Sequence, residues 1–299
     1  MQASLNFNDQ VVIVTGAGNG LGRSHAQLFA SLGAHVIVND LGSEKDGRGV
    51  STLAADAVVA EITAMGGSAI ANYDSVVDGE GIVQQALEHF GRLDVLVNNA
   101  GILRDKSFHK MSLEEWQTIQ DVHCRGAFSL TSAAWPLMRE NNYGRLIFTA
   151  SASGMYGNFG QANYGAAKLG LVGLMRTLAV EGRSKNIHAN AIAPMVDSRM
   201  LTGLLPDEWI KKLKPELVSP LAAYLCHNTC TETGGLYEAG AGRFCKVRWQ
   251  RAEGLDLSQQ SQVSVDELAA GFASVQDFTE AHYPDEVMQA GMHLLALNA

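Results

Sequence analysis

Residues 10–22 read QVVIVTGAGNGLG: four β-branched apolar residues and a threonine run straight into glycines at 16, 20 and 22. A short apolar run of this kind suits a strand buried on both faces. The glycines allow a tight turn and a close backbone approach, and a helix opening at Gly20 offers free N–H groups and a positive dipole end to an anion. Strand, glycine turn and helix in that order predict a cradle for a dinucleotide pyrophosphate, formed by Gly16, Asn19, Gly20, Leu21 and Gly22. Glycine-rich turns also occur for purely structural reasons, so the rest of the chain must decide.

The same alternation continues beyond the cradle. QVVIVTG, AHVIVND, SAIANYD, LDVLVNN, GRLIFTA, IHANAIA and GGLYEAG are candidate strands, and amphipathic stretches over 20–32, 51–66, 78–90, 112–140, 162–183 and 217–227 are candidate helices. Ser112 and Glu115 form a possible capping box at the start of the fourth helix. Strands joined by crossover helices predict an α/β, Rossmann-type, doubly wound parallel sheet of about seven strands flanked by helices. LGSEKDGRGV, after the second strand, is a surface loop beside whatever binds at that strand's carboxyl end. The expected organisation is a dinucleotide-binding domain over 1–245 and a C-terminal helical extension over 246–299, with Ser264 and Glu267 capping one helix there.

A formal charge of −9 argues against binding to nucleic acid or to an anionic membrane surface. The amino terminus lacks a secretory signal pattern and no apolar run is long enough to span a bilayer, so no membrane insertion is expected. Four cysteines do not make a disulfide framework and point to a reducing compartment. Cys226, His227 and Cys230 are a conceivable metal set, but with no second ligand pair the expectation is no metal.

The second strand ends at Asp40, about twenty residues past the cradle. A carboxylate there accepts hydrogen bonds from ribose hydroxyls and repels a 2′-phosphate, which selects NAD over NADP; a solvated turn residue is the plainer alternative. Asp74 and Ser75, after the third strand, are candidates to hold the adenine, although aspartate also ends strands simply by making turns. NNAG, Asn98 to Gly101, closes the fourth strand; Asn99, Ala100 and Gly101 leave room for a ribose or nicotinamide, and the amides tie neighbouring loops together.

Tyr164 and Lys168 stand at i and i+4 on a candidate helix, so they face the same way. A lysine cation beside a phenol stabilises phenolate and is expected to lower the tyrosine pKa, making it a general acid or base. Ser151, ending the strand GRLIFTA, can bond a substrate oxygen. Each has an ordinary explanation alone; together with the cradle they point to proton transfer next to a dinucleotide.

TGAGNGLG, NNAG, Ser151 and YGAAK, in that order over residues 7–245, resemble the short-chain dehydrogenase/reductase family. The resemblance implies hydride transfer between a nicotinamide and a carbinol carbon, with Tyr164 as acid/base, Ser151 polarising the oxygen and Lys168 also holding the nicotinamide ribose. Two positions depart from the family pattern. His123, in DVHCRGAF, stands where an asparagine usually completes a proton relay, and serves either as that relay or as a structural histidine. Pro194 is followed by Met195 rather than glycine, so Pro194 can still shape the loop over the nicotinamide while the backbone contacts around it differ.

NNAGILRDKSFHKMS, VHCRG, TASASGMYGNFGQANYGAAKLGL and GGLYEAGAGRFCKVRW resemble one branch of that family, the (3R)-hydroxyacyl-CoA dehydrogenase regions of peroxisomal multifunctional enzymes of type 2. That branch implies NAD-dependent oxidation of a 3-hydroxyacyl-CoA, with a steroid side-chain or other bulky acyl-CoA as a candidate substrate. A 17β-hydroxysteroid or other secondary-alcohol dehydrogenase is the alternative, and a non-catalytic NAD-binding protein a further one. Arg104, Lys106, Lys110, Arg199, Lys211, Lys212 and Lys214 are candidate partners for CoA phosphates; Met195, Met200, Leu201, Leu204, Leu205 and Trp209 are candidates to line an apolar substrate loop. The family implies a homodimer or homotetramer packed through the long helices. The terminus HLLALNA carries no SKL-type address, so the expected location is the cytoplasm of a bacterium.

Overall fold

The computed structural model describes residues 5–197, 206–284 and 286–295. The chain divides into two compact units, Met1–Lys246 and Val247–Ala299. The first carries the sheet, in which β1 (Val11–Thr15), β2 (His35–Asn39), β3 (Ser68–Asn72), β4 (Val95–Asn98), β5 (Gly144–Thr149), β6 (Ile187–Met195), β7 (Leu236–Gly240) and β8 (Arg243–Val247) lie in the order β3-β2-β1-β4-β5-β6-β7-β8. Pairing is parallel from β3 through β7. The chain moves outward from β1 to β3 and then returns to place β4 on the other side of β1, so a crevice opens at the carboxyl ends of β1 and β4 where the direction reverses.

The apolar runs form strands because both faces of the sheet are covered. All of Val11–Thr15 is buried. Alternate residues Val12, Val14, Val36, Val38, Val95 and Val97 join one core cluster with Phe29, Ile62 and Ala222. Those partners come from α1 (Gly20–Ser31), α2 (Leu53–Ala64) and, after several other helices in the chain, Ser219–Cys226, all on one side. The opposite side is packed by α3 (Gly79–Phe90) and the long helices described next.

The helix expected over 112–140 is three pieces: α4 (Leu113–Gln120), a π-helical turn at Asp121–Arg125, and α5 (Gly126–Asn141). A wide turn of this kind is not encoded by apolar periodicity, and it occurs where His123 enters the interior. The Ser112–Glu115 capping box forms in both directions at the start of α4. A short helix, α6 (Ala152–Tyr156), precedes α7 (Ala162–Gly182); α8 (Asp207–Ile210) and α9 (Ser219–Cys226) follow β6. The eighth strand was missed because RFCKV is mostly exposed and charged. Ala241 and Gly242, both at positive φ, reverse the chain in two residues and return β8 along β7.

The second unit holds α10 (Val265–Val275), capped by Ser264 and Glu267 as expected, and α11 (Val287–Leu294). Within it the Arg248 guanidinium lies 3.5 Å over the Tyr283 ring, and Arg251 donates to the Ala290 carbonyl at 3.0 Å.

Candidate active site

A pocket of about 780 Å³ occupies the crevice and its surroundings, and every residue expected to hold a dinucleotide or to take part in proton transfer lines it. At one end is the glycine turn. A Cβ on Gly22 would stand 2.2 Å from the Gly16 carbonyl oxygen and 2.6 Å from Asn99 Nδ2, so the turn closes only without a side chain there. At Gly20, with φ +53°, a Cβ meets nothing within 4 Å, leaving the backbone open to the pocket. Asn19 makes no side-chain cap and the first turn of α1 has no acidic residue, so its N–H groups remain available to an anion. This arrangement fits a pyrophosphate. Gly22→Ala is expected to cost about 1–3 kcal/mol of stability in urea denaturation, because the added carbon must push backbone rather than a flexible side chain.

The loops around the turn are tied together. Asn99 Nδ2 donates to the Thr15 carbonyl at 2.8 Å, and the Thr15 hydroxyl accepts the Asn99 and Ala100 N–H groups, both at 3.0 Å. Asp40 accepts Gly18 N–H on one carboxylate oxygen and Gly42 N–H on the other, both at 2.7 Å. It therefore has a structural task as well as lone pairs left for a ligand. An amide ladder, Asn39 to Asn72 to Gln85, holds the ends of β2 and β3, and Asn72 Nδ2 also donates to Asp74 at 2.9 Å.

Ser151 follows β5 and is the N-cap of α6, where its hydroxyl accepts Ser153 N–H at 3.2 Å. Both it and Tyr164 line the pocket, and its proximity favours the phenolate. Lys168, on the next turn of α7, is buried; its Nζ lies 5.5 Å from the Tyr164 ring centroid and donates to the Thr149 carbonyl at 2.6 Å. Burial pushes the Tyr164 phenol up to about 12, only partly offset by Ser151, and pushes Lys168 down to about 7. The expectation that the lysine cation lowers the tyrosine pKa is thus reversed for each group taken singly. Both charged forms are desolvated, and the ammonium is directed at a carbonyl rather than at the phenol.

His123 is buried with its ring edge-on to Tyr164, centroids 5.3 Å apart. Its Nε2 bonds the Ile102 backbone, 3.0 Å from the carbonyl oxygen, and its Nδ1 has no hydrogen-bond partner. Neither nitrogen reaches Tyr164 or Lys168, and burial next to Lys168 holds the imidazole neutral. Gly101 is required beside it, since a Cβ there would lie 2.6 Å from the His123 ring.

The pocket is also lined by Pro194, Met195, Val196 and Leu213, and by Lys45 and Arg243, two cations that the sequence reading did not single out. The cations it did single out lie elsewhere: Arg104 pairs with Glu114, Lys106 pairs with Glu115, and Lys110, Lys211, Lys212 and Lys214 are exposed away from the lining. Trp209 is also exposed and outside the lining, while Arg199, Met200, Leu201, Leu204 and Leu205 lie outside the described residues. Among the described residues no cluster of three or more His, Cys, Asp or Glu gathers as a metal site, and no helix is long and apolar enough to cross a membrane.

Comparison with known proteins places this geometry among relatives. Residues 10–209 match the family model described as short chain dehydrogenase. Mouse peroxisomal multifunctional enzyme type 2 is 53% identical over 97% of this chain, which spans 40% of that protein's length. The structure of full-length peroxisomal multifunctional enzyme type 2 from Drosophila melanogaster superposes with a TM-score of 0.84 at 41% identity, covering 98% of this chain and 50% of that one. A 7α-hydroxysteroid dehydrogenase solved with NADH and 7-oxo glycochenodeoxycholic acid superposes at a TM-score of 0.71 and 26% identity, covering 79% of this chain and 95% of its own. With the family model matching two thirds of the chain, the chain belongs to the short-chain dehydrogenase family.

Proposed function

We propose that this chain oxidises a 3-hydroxyacyl-CoA to the 3-ketoacyl-CoA with NAD. The observation that carries the reading is the gathering of Ser151, Tyr164 and buried Lys168 in the same pocket as the glycine cradle. When bound, NAD supplies the hydride acceptor. The cradle backbone and the first turn of α1 would hold its pyrophosphate, the remaining lone pairs of Asp40 would take the ribose hydroxyls, and Asp74, Ser75 and Pro194, in the same lining, would hold the adenine and nicotinamide ends.

Ser151 orients the substrate hydroxyl, and Tyr164 Oη receives its proton. The resting pair must therefore have a place for that proton. Burial favours the neutral phenol, so that place is the phenolate form of Tyr164, whose share grows as pH rises. His123 is a positioning residue: it braces the tyrosine ring from one side and is anchored to the Ile102 backbone. Arg243 is the cation best placed to meet the CoA phosphates, and Met195 and Leu213 suit an acyl chain.

The similarity to a hydroxysteroid dehydrogenase favours one second reading, a dehydrogenase of steroid or other free secondary alcohols. Comparing a CoA thioester with its free hydroxy acid and with a 17β-hydroxysteroid separates the two: the thioester is expected to turn over far faster, and equal rates on the free sterol would favour the second reading. For the cofactor, Asp40→Ala is expected to reduce the preference for NAD over NADP roughly 10–100-fold in kcat/KM, since a like-charge clash is removed; an unchanged preference would exclude Asp40 as selector. Exposed Leu113, Phe128, Leu169 and Val180 on α4, α5 and α7 support a homodimer or homotetramer, which sedimentation would detect. Four free cysteines support a reducing, cytoplasmic location.

A further inference from the structure

The glycine-rich segment after β2 was expected to be a surface loop, yet it is attached at both ends of a span. It leaves the sheet at Asp40, which holds Gly42 N–H. Its tip lands two strands away, past β1, on the loop that follows β4. There Leu103 N–H donates to the Lys45 carbonyl at 2.9 Å, and Arg104 Nε donates to the Asp46 carbonyl at 3.0 Å. Gly47 packs so closely on Ile102 that a Cβ would lie 2.9 Å from its Cδ1. Because β1 lies between β2 and β4, a segment fixed at both places passes over the carboxyl end of β1 and its glycine turn. Ser43, Lys45 and Gly47 accordingly line the same pocket as Gly20.

The landing loop is itself fastened to the helix that carries the tyrosine. Lys106 N–H donates to the Gly160 carbonyl at 2.8 Å and Gln161 Nε2 to Asp105 at 2.9 Å. Fully buried Asn163 donates to the Arg104 carbonyl at 3.1 Å while its Oδ1 accepts Tyr164 N–H at 2.8 Å. The landing side is therefore firm, and opening must come from the strap.

We propose that residues 42–50 form a strap over the dinucleotide crevice, latched by Arg104 to the Asp46 backbone, and that the cofactor enters and leaves only when this latch opens. The proposal rests on the reading of the pocket as a nicotinamide-dinucleotide site. Arg104 is a positioning residue in it; its guanidinium acts through the strap. Its bond to a carbonyl is charge-assisted, so removing it favours the open strap by about tenfold or more.

Stopped-flow fluorescence of NADH binding tests this with wild type, Arg104→Ala, Arg104→Lys and Glu114→Gln. In Arg104→Ala both the association and dissociation rates are expected to rise about tenfold, with Kd changing less than either rate. Glu114→Gln removes the ion pair but leaves the latch, and should match wild type. Unchanged rates in Arg104→Ala would overturn the proposal, as would a rise in dissociation alone, which means that the arginine touches the cofactor instead. Should the alanine variant not fold, Arg104→Lys and hydrogen exchange at Leu103 N–H in wild type carry the test: NADH must slow that exchange, and no slowing sinks the strap. Absence of any saturable NADH signal in wild type would instead refute the cofactor reading itself.

Discussion

Tyr164→Phe is expected to lower kcat by about 10³-fold while leaving NADH affinity and thermal stability nearly unchanged. The substitution removes one oxygen. The ring, its edge-on contact with His123 and its place on α7 remain, and the Ser151 hydroxyl keeps its bond from Ser153 N–H. Binding without turnover isolates the phenol's role in proton transfer from any role in holding the pocket together. Titration of NADH fluorescence alongside steady-state kinetics measures both, and full activity in the variant would mean that another group takes the proton.

Lys168→Met carries the second large effect, and its signature is a pH profile. In the wild type, oxidation should rise with pH, because only the phenolate form of Tyr164 can accept a proton and burial raises the phenol's pKa. Without the lysine the phenolate has no cation within reach, and its pKa, already raised by burial, rises further. Oxidation at neutral pH is then expected to fall by about tenfold or more and to recover toward high pH.

The same substitution should change stability in the opposite sense. The folded pKa of Lys168 lies below its ordinary value of 10.5, so the unfolded chain binds the extra proton between about pH 7 and 10.5. The penalty is largest below about pH 7 and is relieved as pH rises through that window. Lys168→Met removes it, on the order of 5 kcal/mol at neutral pH if fully expressed. Thermal melts at pH 6 and pH 10 should show the variant gaining most at the lower value; a gain that does not depend on pH would exclude burial of the amine as its cause.

Much of this architecture is legible in the sequence. Runs such as VVIV and LDVLVNN are apolar throughout because both faces of the sheet are covered, and that burial is what the periodicity records. The capping boxes at Ser112 and Ser264 mark helix starts through local hydrogen bonds that composition alone specifies. The cradle was legible for a related reason: glycine at 22 is a local steric necessity.

What escaped the reading depends on distant partners or on solvation. The π-helical turn that brings His123 inward has no periodic signature, and β8 is charged and exposed. The strap read as a loop since its anchors, Leu103 and Arg104, are more than fifty residues away in the chain. Cations near the substrate end were chosen by sequence proximity, whereas Arg104 and Lys106 are spent on ion pairs and Arg243 arrives from the edge hairpin. The pKa expectation failed because i, i+4 spacing sets which way two side chains face but not how dry the site is.

The most direct measurement is the initial rate of NAD reduction, followed by the near-ultraviolet absorbance of NADH, with a (3R)-3-hydroxyacyl-CoA as substrate for wild type and Tyr164→Phe side by side. Rapid reduction by the wild type that collapses in the variant is the predicted result. No reduction with the thioester, or the same rate in both proteins, would contradict it.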